Sequence, residues 1–537
     1  MLPIEEHLPE LINKLTDNAS LVLQAEPGAG KSTAVPLAFL SADIFADKKI
    51  VMLEPRRVAA KSIAHYLSSQ IGEKVGQTIG YQVRNDHKVS AQTRLEIVTE
   101  GVLTRRLQQD PELTDIGLII FDEFHERSIH ADLALMLSLE VQQAYREDLK
   151  ILVMSATIDT AQIATYLNDA LVMNCPGRTY PVHVRHFANS KTQITGQIIG
   201  LLGQVLRESH QGDVLVFLPG QADIKRCIQA AEESLNEQVE YLPLYGGLPL
   251  EQQEKVLNRH SNGHRRVIFS TNIAETSLTI EGITVVIDSG LEKVLVYDVK
   301  SGLTRLDTVH ISQASATQRA GRAGRLQEGQ CLRLWSESVQ QGLKPFQPEE
   351  ITIAELTNLA LELSAWGVTR FEDANWLTAP PTHHFSVACE LNKALGLVDA
   401  ENKITKRGEQ ALALGVEPRL ASMLLRADTD KEKQLATILA ALLSERDILV
   451  QAHGSDLTDR VLAITDYLRD RKRNTDHLKL NKRVTEQVIT LAKGFARKIN
   501  VSFAIDALDL QTVQQLIGSM LFIAYPDRLA KRRSEND

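Results

Sequence analysis

Up to about residue 340 the chain alternates short apolar runs with polar turns and amphipathic stretches. Runs at 21–25, 50–53, 95–98, 118–121, 151–154, 214–218, 267–269 and 285–287 are strand length and rich in Val, Ile and Leu. A strand that is apolar without alternation is buried on both faces, as in a parallel sheet held between helices. Polar or Gly-containing turns follow these runs, and helix-period segments lie between several of them. The pattern predicts an α/β fold of two such blocks. A seam falls near 180–195, where PGRTYPVHVRHFANSKT shows no helical period. Beyond 340 the strand signal fades and Leu/Ala-rich helical periods take over, as in EITIAELTNLALELSAWGV and KEKQLATILAALLSERDIL. Between those two, LNKALGLVDAENKITKRGEQALAL reads as helix, short hairpin, helix, the pattern of a small winged-helix unit. The expected domains are an α/β block at 1–187, a second at 188–342, a winged helix at 343–408, a helical bundle at 409–525 and a basic tail at 526–537.

Composition narrows the function classes. The 537 residues exceed one core, and 43% hydrophobic with 24% charged content is ordinary for a globular chain. No run approaches the roughly 18 apolar residues that span a bilayer. The start, MLPIEEHLPELINKL, lacks the basic and apolar regions of a signal peptide. Cys175, Cys227, Cys331 and Cys389 are scattered with no CxxC pair. That excludes a disulfide framework and a thiolate zinc site, and the expected location is the cytoplasm. The formal charge of −9 counts against a uniformly basic nucleic-acid binder, so any track must be gripped by local Arg and Lys in a channel. At 5% aromatic content a stacking-rich binding sheet is disfavoured. The runs at 469–473 and 531–533 read as solvated faces, and His383-His384 as a loop pair without metal partners.

Three segments carry chemistry. AEPGAGKST (Ala25, Glu26, Pro27, Gly28, Ala29, Gly30, Lys31, Ser32, Thr33) follows the first strand and opens a helix, the setting of a phosphate-binding loop. Its glycines let backbone amides face phosphate oxygens; Lys31 reaches the β- and γ-phosphates and Ser32 ligates Mg²⁺. Taken alone, a structural Gly-rich turn also fits. LIIFDEFHER then runs four apolar residues into Asp122 and Glu123. Adjacent carboxylates at a strand end suit Mg²⁺-dependent phosphoryl transfer, with Asp122 on the metal and Glu123, also near it, polarising the attacking water. SATQRAGRAGR places Arg319, Arg322 and Arg325 every third residue. Read as a basic helical stripe in the second block, it presents guanidinium groups to a nucleotide held by the first.

Together the motifs resemble those of the DEAH/RHA helicases. DEFH (122–125) resembles the DEAH box, and SAT (155–157), STNIAETSLTI (270–280) and QRAGRAGR (318–325) stand in that family's order. So do EPRRVAA, TEGVL, VFLPGQADI and PLYGGLPLEQQ. MLEPRRVAA, TEGVLTRRLQQDPEL, FDEFHERS and AYPDRLAKRR resemble the bacterial HrpB-type branch in particular. The resemblance implies two tandem RecA-like domains, then winged-helix and helical-bundle (ratchet-like) regions. It implies an ATP-dependent RNA helicase moving 3′ to 5′ on single-stranded RNA, using ATP or other NTPs with Mg²⁺, as a monomer. Gln318 would position the hydrolytic water, Arg322 and Arg325 would be γ-phosphate fingers, and His125 would couple the site to the second lobe. Arg56, Arg57, Thr99 and Thr157 in the first lobe, with Gly220, Thr271 and Thr276 in the second, fall in motifs that contact the strand or relay nucleotide state. Arg84 and Arg305 are weaker candidates.

Three positions depart from the family pattern. Tyr66 and Leu291 stand where many relatives sandwich the adenine between Arg and Phe, which implies loose base selectivity. Leu53-Glu54 replaces the usual Thr-Gln, as in the HrpB-type branch. RLAKRRSEND closes the sequence where HrpB-type proteins continue and related helicases carry an OB-like domain, so part of the channel is expected to be absent. Two alternatives stay open: a DNA helicase or ribonucleoprotein remodeller, and an ATP-dependent switch or scaffold for a protein partner that the sequence does not identify.

Overall fold

A computed structural model describes residues 2–530 apart from 27, 84–85, 157–159, 178–179, 188–192, 209–211, 236–238, 258–263, 276–279, 326, 452–453, 470–478 and 504–507. Pro27, Arg84, Thr157, Thr276 and the charge runs 470–473 and 531–533 lie outside the described residues. The chain forms two compact units, residues 1–354 with 375–379, and residues 355–374 with 380–537.

The first unit holds two sheets. The first contains β1 (Ser20–Ala25), β2 (Lys49–Leu53), β3 (Ile79–Val83), β4 (Asp86–Lys88), β5 (Leu95–Val98), β6 (Ile116–Phe121), β7 (Lys150–Ser155) and β8 (Leu171–Cys175). Their order is β4-β3-β5-β2-β6-β7-β1-β8, parallel except for β4, which pairs antiparallel with β3. Every residue of β5 and β6 is buried, as the unbroken apolar runs require. Leu21, Leu23, Ile50, Met52, Ile97, Leu118, Ile120 and Leu152 meet Leu11, Val35 and Phe39 from flanking helices in one core. Because the central strands are parallel, the loops after β1, β6 and β7 all emerge at one edge, where ligands of such sheets bind.

The second sheet runs β11 (Val239–Leu244), β12 (Arg265–Ser270), β10 (Asp213–Phe217), β13 (Ile283–Asp288), β16 (Gly329–Arg333), β9 (Val182–His186), all parallel. A separate antiparallel hairpin, β14 (Leu291–Asp298) and β15 (Leu303–His310), pairs Leu295 with Leu306. The expected boundary at 187/188 would leave β9 in the first block, yet it joins the second sheet beside β16. Its residues are exposed or half-buried, so the apolar run that marks a strand is absent.

The second unit is helical and has one core. The helices Thr382–Ala394 and Lys406–Leu414 flank an antiparallel bridge between Val398 and Ile404, the hairpin read from the sequence. The expected winged-helix and bundle segments share that core: Leu391, Leu395 and Leu397 are continuous with Leu435, Ile438, Val461, Val488 and Met520. Among the described residues no helix is long and apolar enough to cross a membrane.

Candidate nucleotide site

The loop after β1 is built by backbone bonds that leave its amides clustered. Ala29 N–H donates to the Glu26 carbonyl (3.1 Å), and Thr33 and Ala34 N–H both donate to the Gly30 carbonyl (3.2 and 2.8 Å). Gly28 and Gly30 have φ of +90° and +94°, values that L side chains rarely adopt. The helix Lys31–Leu40 starts directly behind them, aiming its N-terminus and macrodipole at the loop. Ala25 and Ala29 are buried, Glu26 and Gly28 exposed, Ser32 and Thr33 half-buried, and the Thr33 hydroxyl donates to the Gly30 carbonyl (3.2 Å).

Lys31 joins this loop to the end of β6. Its Nζ lies 2.8 Å from Glu123 Oε2 and 3.8 Å from Asp122 Oδ1. Both carboxylates are buried. Burial pushes Asp122 up to about 6, against the opposing pull of Lys31. For Glu123 burial also pushes upward, but Lys31, His125 and Arg322 together outweigh it and hold the carboxyl down at about 2. Glu123 is therefore ionised at neutral pH. It sits at φ +51°, a left-handed conformation uncommon outside Gly and Asn, and its N–H donates to Asp122 Oδ1 (2.9 Å). Asp122 Oδ2 is buried with no hydrogen-bond partner, and the Ser32 hydroxyl bears on the same carboxylate. An unpaired buried carboxylate oxygen beside a hydroxyl fits a hard divalent cation. His125 is buried with Nδ1 3.5 Å from Glu123 Oε2; burial lowers its pKa, with Glu123 opposing.

The second lobe brings arginines to the same carboxylate. The helix Gln313–Gly321 carries buried Gln318 and ends at Gly321, so the three arginines do not form one helical stripe. Gly residues weaken the helix here, and Gly324 lies against the Tyr180 carbonyl, where an added Cβ would be 2.6 Å away. Arg322 and Arg325 follow the helix in a turn, and both are influenced by Glu123. Burial depresses both guanidiniums, Arg325 to about 10. Arg319 instead is fully buried in ion pairs with Glu275 (2.8 Å) and Asp288 (3.1 Å), over the Phe217 ring. Its role in this structure is to hold the lobe together.

The expected strand-contact residues are dispersed. Arg57 is exposed at the first turn of the helix Arg57–Gln70. Thr99, Gly220 and Thr271 each precede a helix as its N-cap residue. Arg56 is engaged between lobes: Nη1 donates to the Ile273 carbonyl (2.9 Å) and Nη2 to Glu126 (3.0 Å). Tyr66 is exposed and Leu291 half-buried at the start of β14.

Sequence reading missed three participants. Glu54 is fully buried, pushed well up first by burial and then by Asp122, Glu123 and Glu126. Arg127, in a left-handed conformation, makes a bidentate pair with Asp132 and also donates to Thr378 Oγ1 (2.8 Å). Glu275 joins Ser315, Arg319 and Arg322. A charged residue inside a motif otherwise valued for its Thr or Arg positions was the available signal for each.

A phosphate loop, a carboxylate pair and arginines from a second parallel-sheet lobe define a tandem-lobed P-loop nucleotide-binding protein. The DEAD/DEAH box helicase family matches residues 8–165, and the helicase conserved C-terminal domain matches 197–327. The chain is 43% identical over 444 residues to the ATP-dependent RNA helicase HrpB of Escherichia coli, covering 83% of this chain and 55% of that protein. It is 34% identical over 466 residues to the ATP-dependent RNA helicase HrpA of Borreliella burgdorferi (86% and 56%). It is 37% identical over 437 residues to the probable ATP-dependent RNA helicase DHR2 of Saccharomyces cerevisiae (79% and 59%). The crystal structure of the E. coli DEAH/RHA helicase HrpB superposes with a TM-score of 0.85 at 38% identity, over 99% of this chain and 64% of that one. The chain belongs to the DEAH/RHA helicase family. It spans between half and two thirds of the length of these relatives.

Proposed function

We propose that the chain is a nucleic-acid-stimulated NTPase that moves 3′ to 5′ along single-stranded RNA as a monomer. The observation that carries this reading is the convergence on Glu123. Lys31 from the phosphate loop touches it, and Arg322 and Arg325 from the other lobe act on it. A group that both lobes address makes hydrolysis sensitive to their apposition. Lys31 and the amides after Gly28 hold the phosphates of ATP or another NTP. Glu123, kept ionised, accepts the proton of the attacking water, and Gln318 orients that water. Arg322 and Arg325 balance charge that develops on the γ-phosphate. Ser32 and Asp122 would hold Mg²⁺, with Glu123 beside it, and the ion when bound would supply charge neutralisation to the phosphates.

Strand contact is assigned to Arg56, Arg57, Thr99, Thr157, Gly220, Thr271 and Thr276. Arg57 is exposed for it, whereas Arg56 must exchange its bond to Ile273 for a phosphate. The four free cysteines support work in a reducing cytoplasm. Hydrolysis is to be measured alone, with poly(U) and with poly(dT), beside displacement of an RNA strand from a 3′-tailed duplex. Stimulation by poly(U) with displacement is the expected result. Stimulation by poly(dT) alone would make the track DNA. Stimulation without displacement would make the chain a remodeller, and hydrolysis indifferent to both polymers would make it a switch.

A further inference from the structure

The loop that follows β12 is tied to the first lobe and to the finger-bearing segment by one short stretch. At Ile273 its carbonyl accepts from Arg56 of the first lobe (2.9 Å). Two residues on, Glu275 makes three bonds to the finger-bearing segment. Its Oε1 accepts from the Ser315 hydroxyl (2.5 Å), its Oε2 from Arg319 Nε (2.8 Å), and its backbone carbonyl from Arg322 Nε (3.1 Å). These donors lie at 315, 319 and 322, so Glu275 runs along one side of the helix Gln313–Gly321 and reaches past its end. Ser312 caps that helix by accepting from Ser315 N–H, which fixes the near end. Arg319 is fixed independently by Asp288 (3.1 Å) and by the Phe217 ring beneath it. The far end, at Arg322, caps the helix, its N–H donating to the Arg319 carbonyl (3.2 Å). Its bond to Glu275 ties it to a residue whose carboxylate is anchored twice.

We propose that Glu275 is the positioning residue for the Arg322 finger, aiming its guanidinium through the paired carboxylate and carbonyl contacts. The inference rests on the function proposed above. The positioning is geometric: the carboxylate locks to Ser315 and Arg319, which fixes the peptide whose carbonyl receives Arg322 Nε. With Nε bound, the buried Arg322 guanidinium is held within the electrostatic reach of Glu123. Because Arg56 holds the same loop at Ile273, a displacement of Arg56 reaches the finger within two residues. Glu275 itself does not touch the nucleotide in this scheme.

The test is steady-state ATP hydrolysis in saturating poly(U) for the full chain, Glu275→Gln, Arg322→Ala and the double variant. Gln keeps the size and can still accept from Ser315, but it turns an amide N–H₂ toward Arg319 Nε–H, donor against donor. The expected result is a kcat lowered about 10- to 100-fold with the KM for ATP within about twofold, since a misplaced group costs on that scale. In the Arg322→Ala background the same substitution should cost no more than about twofold, because partners in one unit are non-additive. Wild-type kcat in Glu275→Gln, or an equal loss in both backgrounds, would overturn the assignment. If Glu275→Gln does not fold, Ser315→Ala takes its place. It removes one donor to the same carboxylate and should lower kcat a few-fold with the same non-additivity, and wild-type turnover there would overturn it. A wild-type chain that hydrolyses no ATP with poly(U) sinks the proposed function instead, and the positioning role with it.

Discussion

Glu123 shows how much work a single buried carboxyl can be given. It is held ionised by Lys31, His125 and Arg322 against a strong desolvation cost, in a left-handed backbone conformation. Glu123→Gln removes the proton acceptor while keeping the shape. Turnover should fall about 10²–10⁴-fold, with ATP binding, followed by a fluorescent analogue, within a few-fold of wild type. Near wild-type turnover would transfer the role of base elsewhere. Glu292 offers a second residue-scale expectation, this one in stability. Burial raises its carboxyl to about 7, with Glu275 adding and Arg319 opposing. A folded-state pKa above the unfolded one means the folded lobe prefers the proton. Stability from this group is complete below about pH 4.5 and is lost as pH rises through about 7. The loss by pH 8 is on the order of 3 kcal/mol. In Glu292→Gln the urea midpoint should change less between pH 5 and 8 than in wild type. An identical pH dependence in both would place the titrating group elsewhere.

At the scale of elements, what the sequence revealed tracks where the physics is local. The eight apolar runs each mark a strand, with only Leu218 falling one residue past its end, because a strand buried on both faces must be apolar throughout. The helix–hairpin–helix at 391–414 was legible because Gly and Asn mark its turn. By contrast β9 and β15 are exposed along much of their length, and β9 finds its partner, β16, far along the chain. Their strand character comes from neighbours, which no local pattern records. The arginine segment shows the same division. Its residue types were readable, but Gly321 ends the helix, and that separates buried Arg319 from Arg322 and Arg325. The charges of Glu275 and Arg127 stood out inside their motifs, but their roles lie in partners 40 and 251 residues away. Helix ends also carry measurable weight. The helix Asp430–Ser444 begins with a capping box in which Thr429 and Glu432 satisfy each other's backbone N–H. Thr429→Ala should lower the stability of the helical unit by about 0.5–2 kcal/mol, read from its urea midpoint. An unchanged midpoint would show that the core around Leu435 and Ile438 sets this helix alone.

For the whole molecule, a net charge of −9 must coexist with the proposed binding to a polyanion. The proposed contacts are few, so affinity for poly(U) should fall with salt only moderately. With about two phosphates neutralised on a single strand, by Arg56 and Arg57, the loss between 50 and 200 mM salt is on the order of 5- to 10-fold. A titration at four salt concentrations measures the slope; no dependence would exclude phosphate contacts as the source of affinity. The path of the backbone carries a different consequence. The chain leaves the two-sheet unit after 354, returns for residues 375–379, and leaves again. That return is fastened: Tyr166 donates to the Asn375 carbonyl (2.7 Å) and Arg127 to Thr378 (2.8 Å). Exchange of the helical unit between paralogous genes by recombination at a single junction therefore delivers a chimera whose 375–379 segment comes from the wrong parent. A clean graft needs three crossovers, so the two units are expected to share an ancestry rather than to have been shuffled as cassettes.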